Sequence, residues 1–373
     1  MKANFLGYTL NGNIIAASCP ATENAEKVRQ CEKHGASAVI LKTATGTDGG
    51  VLGENDKRRC YFDKRGFWAK STFPREIMPL NESVEILRTV NVKIPIIASI
   101  TETELAPEKW LADCVALENA GANAIQLDLF YLENLLSLPD FALQFTNLIN
   151  EIVRHSKIPI MPKLNLGLPA EYAVYLLKQT DIHYVSLLDS VHSPAPLIFH
   201  IDKVTVNPDF LGTGLSVFGN FMFPLTRNYT KIISDAGFEV CAGGGIKTVS
   251  DIAELLFLGA ASVQVATDVL LNGFQRFSEL QNELDTLLAN LRITDVAELC
   301  RQASILYPVA PPKIAQKYAC VDGARCLNCG RCIRQTFCEH IYRNGEKITI
   351  SDCEGCGLCA NLCKLDAIIE SER

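Results

Sequence analysis

Eight times between residues 13 and 266 a short, β-branched apolar run gives way to a longer amphipathic stretch, and no other feature narrows the fold as far. The apolar runs read as strands over 13–18, 38–42, 95–99, 124–128, 159–164, 183–188, 239–242 and 262–266. Helical periodicity fills most of the gaps, for example over 23–34, 107–120, 141–156, 170–179 and 248–258. Several of these stretches end on glycine, as in His34-Gly35, Ala120-Gly121 and Leu258-Gly259, which suits the left-handed residue that closes a helix. Eight βα units over about 280 residues predict an α/β fold, a (β/α)8 TIM barrel rather than an open doubly wound sheet. Segments 43–81 and 190–220 are too long to be simple connectors. In a barrel both are expected at the C-terminal end of the strands, shaping a pocket.

The chain has 35 basic and 42 acidic residues, a formal net charge of −7, so neither nucleic acid nor an anionic membrane surface is an expected partner. No run reaches the about 18 apolar residues that span a bilayer, and the opening MKANFLGYTL lacks a basic region leading into an apolar one. A cytoplasmic protein is expected. Of 15 cysteines, Cys19, Cys31, Cys60, Cys114, Cys241 and Cys300 are scattered, and the rest lie from Cys320 to Cys363. Pro308, Pro311 and Pro312 interrupt the pattern before that cluster. The expected organisation is a barrel over 1–303, a linker over 304–319 and a small domain over 320–373.

The cysteines of the second domain follow a rule. Cys326, Cys329 and Cys332 are two residues apart, with Cys338 further on; Cys353, Cys356 and Cys359 repeat the spacing, with Cys363 following. Two such triplets match the bacterial ferredoxin-like run for two [4Fe–4S] clusters, in which the fourth cysteine of each motif serves the other cluster. One cluster then takes Cys326, Cys329, Cys332 and Cys363, and the other Cys353, Cys356, Cys359 and Cys338. Gly330, Gly355 and Gly357 let the backbone turn closely around each site. Paired CxxC motifs also bind zinc, but zinc does not account for triplets with exchanged fourth ligands. Cys320 stands outside the pattern. The first motif has five residues before its fourth cysteine, and Lys364 follows Cys363 where proline is usual. Arg325, Arg331, Arg334 and Arg343 are candidates to offset the cluster charge.

In the barrel, Gly243, Gly244 and Gly245 follow the seventh strand, and Ala266-Thr267 follows the eighth. Loops after strands seven and eight are the usual phosphate site of such barrels, where glycines expose N–H groups and a helix N-terminus favours an anion. With these turns, Ala16-Ala17-Ser18, Leu41-Lys42-Thr43, Ile97-Ala98-Ser99-Ile100, Gly121-Ala122-Asn123-Ala124-Ile125, Pro162-Lys163, Val263-Gln264-Val265-Ala266-Thr267 and the C-terminal cysteines, the chain resembles class 1 dihydroorotate dehydrogenases. It resembles more closely the FMN-and-ferredoxin portion of dihydropyrimidine dehydrogenase, including the bacterial subunit. The resemblance implies FMN as cofactor. It implies that Ala17 and Ser18 line the flavin, that Lys42, Thr43 and Lys163 sit beside its ring, and that Leu188, Asp189, Ser190 and Gly219 border it. Gly243, Gly244, Gly245, Ala266 and Thr267 then carry the phosphate.

Where the family has Asn-Leu-Ser-Cys-Pro after strand four, this chain has Asp128-Leu129-Phe130-Tyr131-Leu132. Tyr131 thus stands at the catalytic cysteine position, and Asp128 and Asp189 replace asparagines. Tyr131 is the expected acid/base group, with Lys42, Lys163, Asp128 and Asp189 around it. Cys19, Cys60 and His192 are the other candidates for that proton. Ionised carboxylates only accept hydrogen bonds, so a substrate rich in donors is expected. No G-x-G-x-x-G fingerprint follows a strand, so a separate FAD/NAD(P)H-binding reductase subunit or a ferredoxin is the expected redox partner, in a homodimer or hetero-oligomer. The resulting expectation is an FMN-dependent dehydrogenase or reductase acting on a C–C or C–N bond. A non-catalytic electron-transfer or ligand-sensing subunit is the alternative.

Overall fold

A computed structural model of the chain describes residues 2–46, 60–62, 68–71, 77–129, 135–194, 197–206, 214–295, 298–299 and 317–372. It divides into two units, Met1–Ser304 and Ile305–Arg373. Phe130, Tyr131 and Leu132, the side chain of Cys60, and Cys300 lie outside the described residues, as does most of the expected linker.

The first unit is a closed barrel of eight parallel strands: β1 (Ile14–Ala16), β2 (Val39–Ile40), β3 (Ile96–Ile100), β4 (Ala124–Asp128), β5 (Ile160–Lys163), β6 (Tyr184–Ser186), β7 (Glu239–Gly243) and β8 (Ala260–Val265). Each pairs in parallel with the next, and β8 pairs back onto β1. Helices α1 (Ala25–Lys33), α2 (Leu80–Thr89), α3 (Pro107–Ala120), α4 (Phe141–His155), α5 (Ala170–Leu177), α6 (Phe223–Asp235), α7 (Val249–Phe257), α8 (Thr267–Asn272) and α9 (Arg276–Asn290) form the outer layer. This is the (β/α)8 TIM barrel that the alternation predicts.

The strands alternate as a barrel requires. Ile14, Ala16, Val39, Ala98, Ile125 and Val240 join the core shared with the helices. Their neighbours Ile15, Ile40, Ile97, Ala124, Met161 and Cys241 form a separate interior cluster. That inner cluster also takes Phe5, Leu6 and Leu10 from an N-terminal hairpin, Ala3–Phe5 paired with Tyr8–Leu10. The hairpin turns on Leu6 and Gly7, both at positive φ (53° and 76°), the backbone that matches the twist of a two-residue loop. Phe5 meets Tyr184 edge-on at 5.7 Å, so the hairpin packs on apolar interior side chains of the strands, while the polar residues of the site stand at the strand ends Asp128 and Lys163.

The two long segments fold together. Cys60–Phe62 and Trp68–Ser71 from the first pair with Val191–Pro194 and Gly214–Phe218 from the second in one four-stranded antiparallel sheet. The second segment also forms a hairpin, Leu197–Phe199 with Val204–Val206.

The second unit is internally repeated. Lys317–Val321 pairs antiparallel with Ile368–Glu372, and Ile341–Asn344 with Lys347–Ile350. Its first strand thus begins inside the segment expected as linker. Two short helices, Arg331–Arg334 and Leu358–Leu362, bury Cys332 and Cys359 against Ala319, Ile341, Ile348 and Ile368.

Candidate functional site

The polar end of the barrel interior is built from strand termini. The side chain of Lys163, the last residue of β5, is 5% exposed, and its Nζ donates to Asp189 Oδ2 at 2.9 Å. Asp128, the last residue of β4, is buried and accepts from Thr43 Oγ1 at 2.9 Å. Thr43 Oγ1 also lies 3.1 Å from Ser18 Oγ and 3.0 Å from Ser99 Oγ, and Gln126 Nε2 donates to Ser99 Oγ at 2.9 Å. Ser18, Thr43 and Asp128, far apart in sequence, thus become one hydrogen-bonded group.

On the other side of the interior, Gln264 Nε2 donates to Ser186 Oγ (2.7 Å) and Leu187 O (2.6 Å). Its Oε1 is buried without a partner among the described residues. A pocket opens here, lined by Ala17, Ser18, Lys163, Leu188 and Asp189, and by Gly219, Gly244, Gly245, Ala266 and Thr267. Phe218, Ile246, Gln264 and Val265 complete the lining, and none of these four was among the expected residues. Gln264 was legible in principle, because alternation along β8 turns it inward with Ser262. Lys42, Thr43, Asp128, Ser190 and Gly243 do not line this pocket. Thr43 reaches it through Ser18, Ser190 is buried, and Gly243 packs behind, where a Cβ would stand 2.3 Å from Gln264 Cγ.

The glycine turn has the shape of an anion cradle. Gly244 and Gly245 have φ of +105° and +87°. The carbonyls of Gly243 and Gly244 accept from Thr226 Oγ1, and that of Gly245 from Asn220 Nδ2 at 2.7 Å. Among the described residues, the N–H groups of Gly244, Gly245, Ala266 and Thr267 donate to no protein acceptor. Two turns therefore present unused donors to one pocket. The start of α7 is a different matter. Thr248 caps it through the N–H of Asp251, and Asp251 Oδ2 accepts from the N–H groups of Lys247 (2.9 Å) and Thr248 (2.8 Å). The α7 terminus expected to help bind an anion is already satisfied by its own capping box.

Among the alternative proton groups, Cys19 is buried, its sulfur accepts from Ala21 N at 3.4 Å, and burial pushes its thiol up to about 11. It caps a turn rather than serving as a base near neutral pH. Burial likewise pushes Cys31, Cys114 and Cys241 up to about 12. His192 is exposed on the antiparallel sheet, opposite Ser216.

In the second unit, Cys326, Cys329, Cys332 and Cys363 line one cavity of about 260 Å³, with Leu327, Arg331, Lys364 and Leu365 at its edge. These are the four cysteines grouped by the exchanged-ligand rule. Asn328 and Gly355 occupy equivalent positions in the two loops, both left-handed (φ 52° and 81°), as are Gly330 and Gly357 (70° and 73°). Backbone N–H groups point at the sulfurs: Asn328 N to Cys326 Sγ (3.4 Å), Gly355 N and Ala319 N to Cys353 Sγ (3.3 and 3.4 Å), and Ala367 N to Cys363 Sγ (3.3 Å). Burial raises the Cys359 thiol, with smaller contributions from Cys353 and Cys338. The Cys320 thiol donates to Ile369 O. Among the described residues, no three Cys, His, Asp or Glu side chains converge closely enough to hold a single metal ion. No helix among them is long and apolar enough to cross a membrane.

No family model matches the chain. It is 28% identical over 227 residues, 59% of this chain and 71% of the relative, to the catalytic subunit of dihydroorotate dehydrogenase B (NAD(+)) from Thermoplasma volcanium. It is 25% identical over 276 residues to the NAD-dependent dihydropyrimidine dehydrogenase subunit PreA of Escherichia coli, covering 68% of this chain and 65% of that subunit, just under two thirds. It is 22% identical over 316 residues, 80% of this chain and 96% of the relative, to dihydroorotate dehydrogenase (fumarate) from Lachancea kluyveri. All three relatives are dehydrogenases by name, and they are of the two kinds that the sequence motifs resemble.

Proposed function

We propose that this chain is an FMN-dependent oxidoreductase of the dihydroorotate/dihydropyrimidine dehydrogenase type, with two [4Fe–4S] clusters in its second unit relaying electrons to or from a partner. The observation that carries the flavin half is the pair of turns whose four N–H groups, at Gly244, Gly245, Ala266 and Thr267, face one pocket unused. A phosphate satisfies such donors without any cationic side chain. Ala17, Ser18 and Lys163 line the remainder, where the ring of the cofactor fits beside the strand ends. When bound, FMN supplies a hydride acceptor and donor.

The protein's own part is to orient and to manage charge. Lys163 brings a buried cation to the pocket, and Asp189 holds it in place. Asp189 lines the pocket as an acceptor for a substrate N–H or O–H, and Asp128, buried and bonded to Thr43, adds a second carboxylate behind Ser18. Both favour a small polar, donor-rich substrate, heterocyclic by resemblance. Tyr131 follows Asp128 by three residues and is the group assigned to hold or deliver the proton.

For the clusters, the donor set fits. Four thiols around one cavity suit a group with several metal ions, which needs its ligands held apart, and the N–H groups aimed at sulfur stabilise thiolates. Zinc would instead draw four sulfurs to a point. Anaerobic purification followed by denaturation tests both halves: about one FMN, eight iron and eight sulfide per chain are expected. Stoichiometric zinc, or FAD in place of FMN, would sink this reading. A screen of small polar compounds for bleaching of the flavin band then finds the substrate.

A further inference from the structure

The two cysteine sites repeat in backbone but are opposite in charge. The first loop carries Arg325 before Cys326, then Arg331 and Arg334, and no acid. Arg334 Nη1 donates to Cys329 O at 2.9 Å, and Arg343 Nη2 donates to Asn328 O at 2.8 Å, so two guanidinium groups lie against the loop itself. Among the described residues Arg331 bonds only the neutral Gln335, at 2.7 Å, and Arg331 and Lys364 line the cavity. Among the described residues no ion pair involves Arg331, Arg334, Arg343 or Lys364; Arg325 pairs with Asp322 at 3.4 Å. The second loop carries Asp352 and Glu354 and no base, and Glu370 Oε1 lies 2.8 Å from where a Gly357 Cβ would stand.

The basic edge is also apolar and open. Leu327 is 75% exposed and Leu365 42%, both at the cavity rim, and Cys329 is exposed between the charged groups. Exposed leucines ringed by unpaired cations, over a thiol that leads into the cavity, are the anatomy of a small transient interface.

We propose that a small acidic one-electron carrier protein docks on this face, and that electrons enter or leave the chain through the Cys326–Cys329–Cys332–Cys363 site. The proposal rests on the two-cluster reading above. In the exchange, the reduced carrier is oxidised by one electron and the cluster is reduced by one, or the reverse. No bond forms or breaks. The acidic second loop repels the same carrier, so the charge difference between the sites sets the docking end.

The test uses the full chain, loaded anaerobically, and a reduced acidic plant-type ferredoxin as the probe. Stopped-flow bleaching of the cluster absorbance gives the second-order rate, and titration calorimetry gives affinity. Arg331→Gln with Lys364→Gln removes two charges and no bond to the loop backbone. It should slow the ferredoxin reaction roughly tenfold or more at low salt and flatten its salt dependence. Leu327→Glu should do the same by adding a repelling charge. Asp352→Asn with Glu354→Gln should not slow the ferredoxin reaction, and reduction by methyl viologen radical should not slow in any variant. Clusters that load and accept electrons from viologen, but whose ferredoxin rate ignores salt and both basic-face variants, would overturn the docking face alone. Absence of iron would remove the cluster reading itself.

Discussion

Replacing Gly245 by alanine tests the phosphate cradle directly. At φ +87° a side chain is already strained, by about 1–2 kcal/mol. The new Cβ would also stand 2.6 Å from Phe223 N and 3.0 Å from Gly219 O, both backbone atoms that cannot swing away. Forcing such a contact adds about 1–3 kcal/mol, so the turn must move to relieve roughly 2–5 kcal/mol. Moving it misaligns the N–H groups of Gly244 and Gly245. At about 1.4 kcal/mol per tenfold, FMN retention should fall by tenfold or more. Gly237→Ala is the control: its φ is +96°, but nothing lies within 4 Å of the added carbon, so it carries only the backbone strain, away from the pocket. Flavin fluorescence released after gel filtration of both variants, with thermal melts alongside, separates lost binding from lost stability. If Gly245→Ala retains FMN as well as Gly237→Ala does, the phosphate is not held by this turn.

Three further outcomes are expected. If the proposed clusters are present, Cys363→Ala should damage the one assigned to Cys326, Cys329 and Cys332 and spare the other, which electron paramagnetic resonance of the reduced protein distinguishes; loss of the second cluster instead would invert the assignment. Tyr131→Phe should keep flavin and iron yet lower turnover by roughly 10²–10⁴, and unchanged turnover would hand the proton to another group, with His192 and Cys60 next to test. Burial raises the Asp113 carboxyl to about 6, with Glu102 adding to the rise, although Gly46 N–H donates to it at 2.9 Å. A raised carboxyl contributes stability below about pH 4 that is lost as pH climbs through 6. Asp113→Asn should therefore raise the melting temperature at pH 7 and give no gain at pH 4; a pH-independent effect would contradict the assignment.

Much of the fold was legible because barrel strands declare themselves locally. Each of the eight runs needed only its own apolar residues and the amphipathic stretch after it, and all eight became barrel strands. The cysteine triplets are visible in the sequence for a similar reason, since each spans only seven residues, and Cys326, Cys329, Cys332 and Cys363 line one cavity. The glycines at 244 and 245 announced a turn that only glycine adopts easily. Long-range pairings left no such local trace. Nothing in segments 43–81 and 190–220 signals that Trp68–Ser71 will pair with Gly214–Phe218, because edge pairing depends on where the barrel brings the two loops. The capping of α7 was readable in Thr248 and Asp251, yet its meaning, that the anion donors come from elsewhere, required the whole turn.

Residue identity and spacing by themselves determined the eightfold βα rhythm, the cysteine set and the glycine turns, since each rests on contacts within a few residues. Tertiary structure alone decided that Asp189 holds Lys163, that Thr43 joins Ser18 to Asp128, and that the N-terminal hairpin packs into the barrel interior. Those contacts span 25 residues or more within the site. They form only because closing the sheet sets strand ends side by side, and no local pattern encodes that.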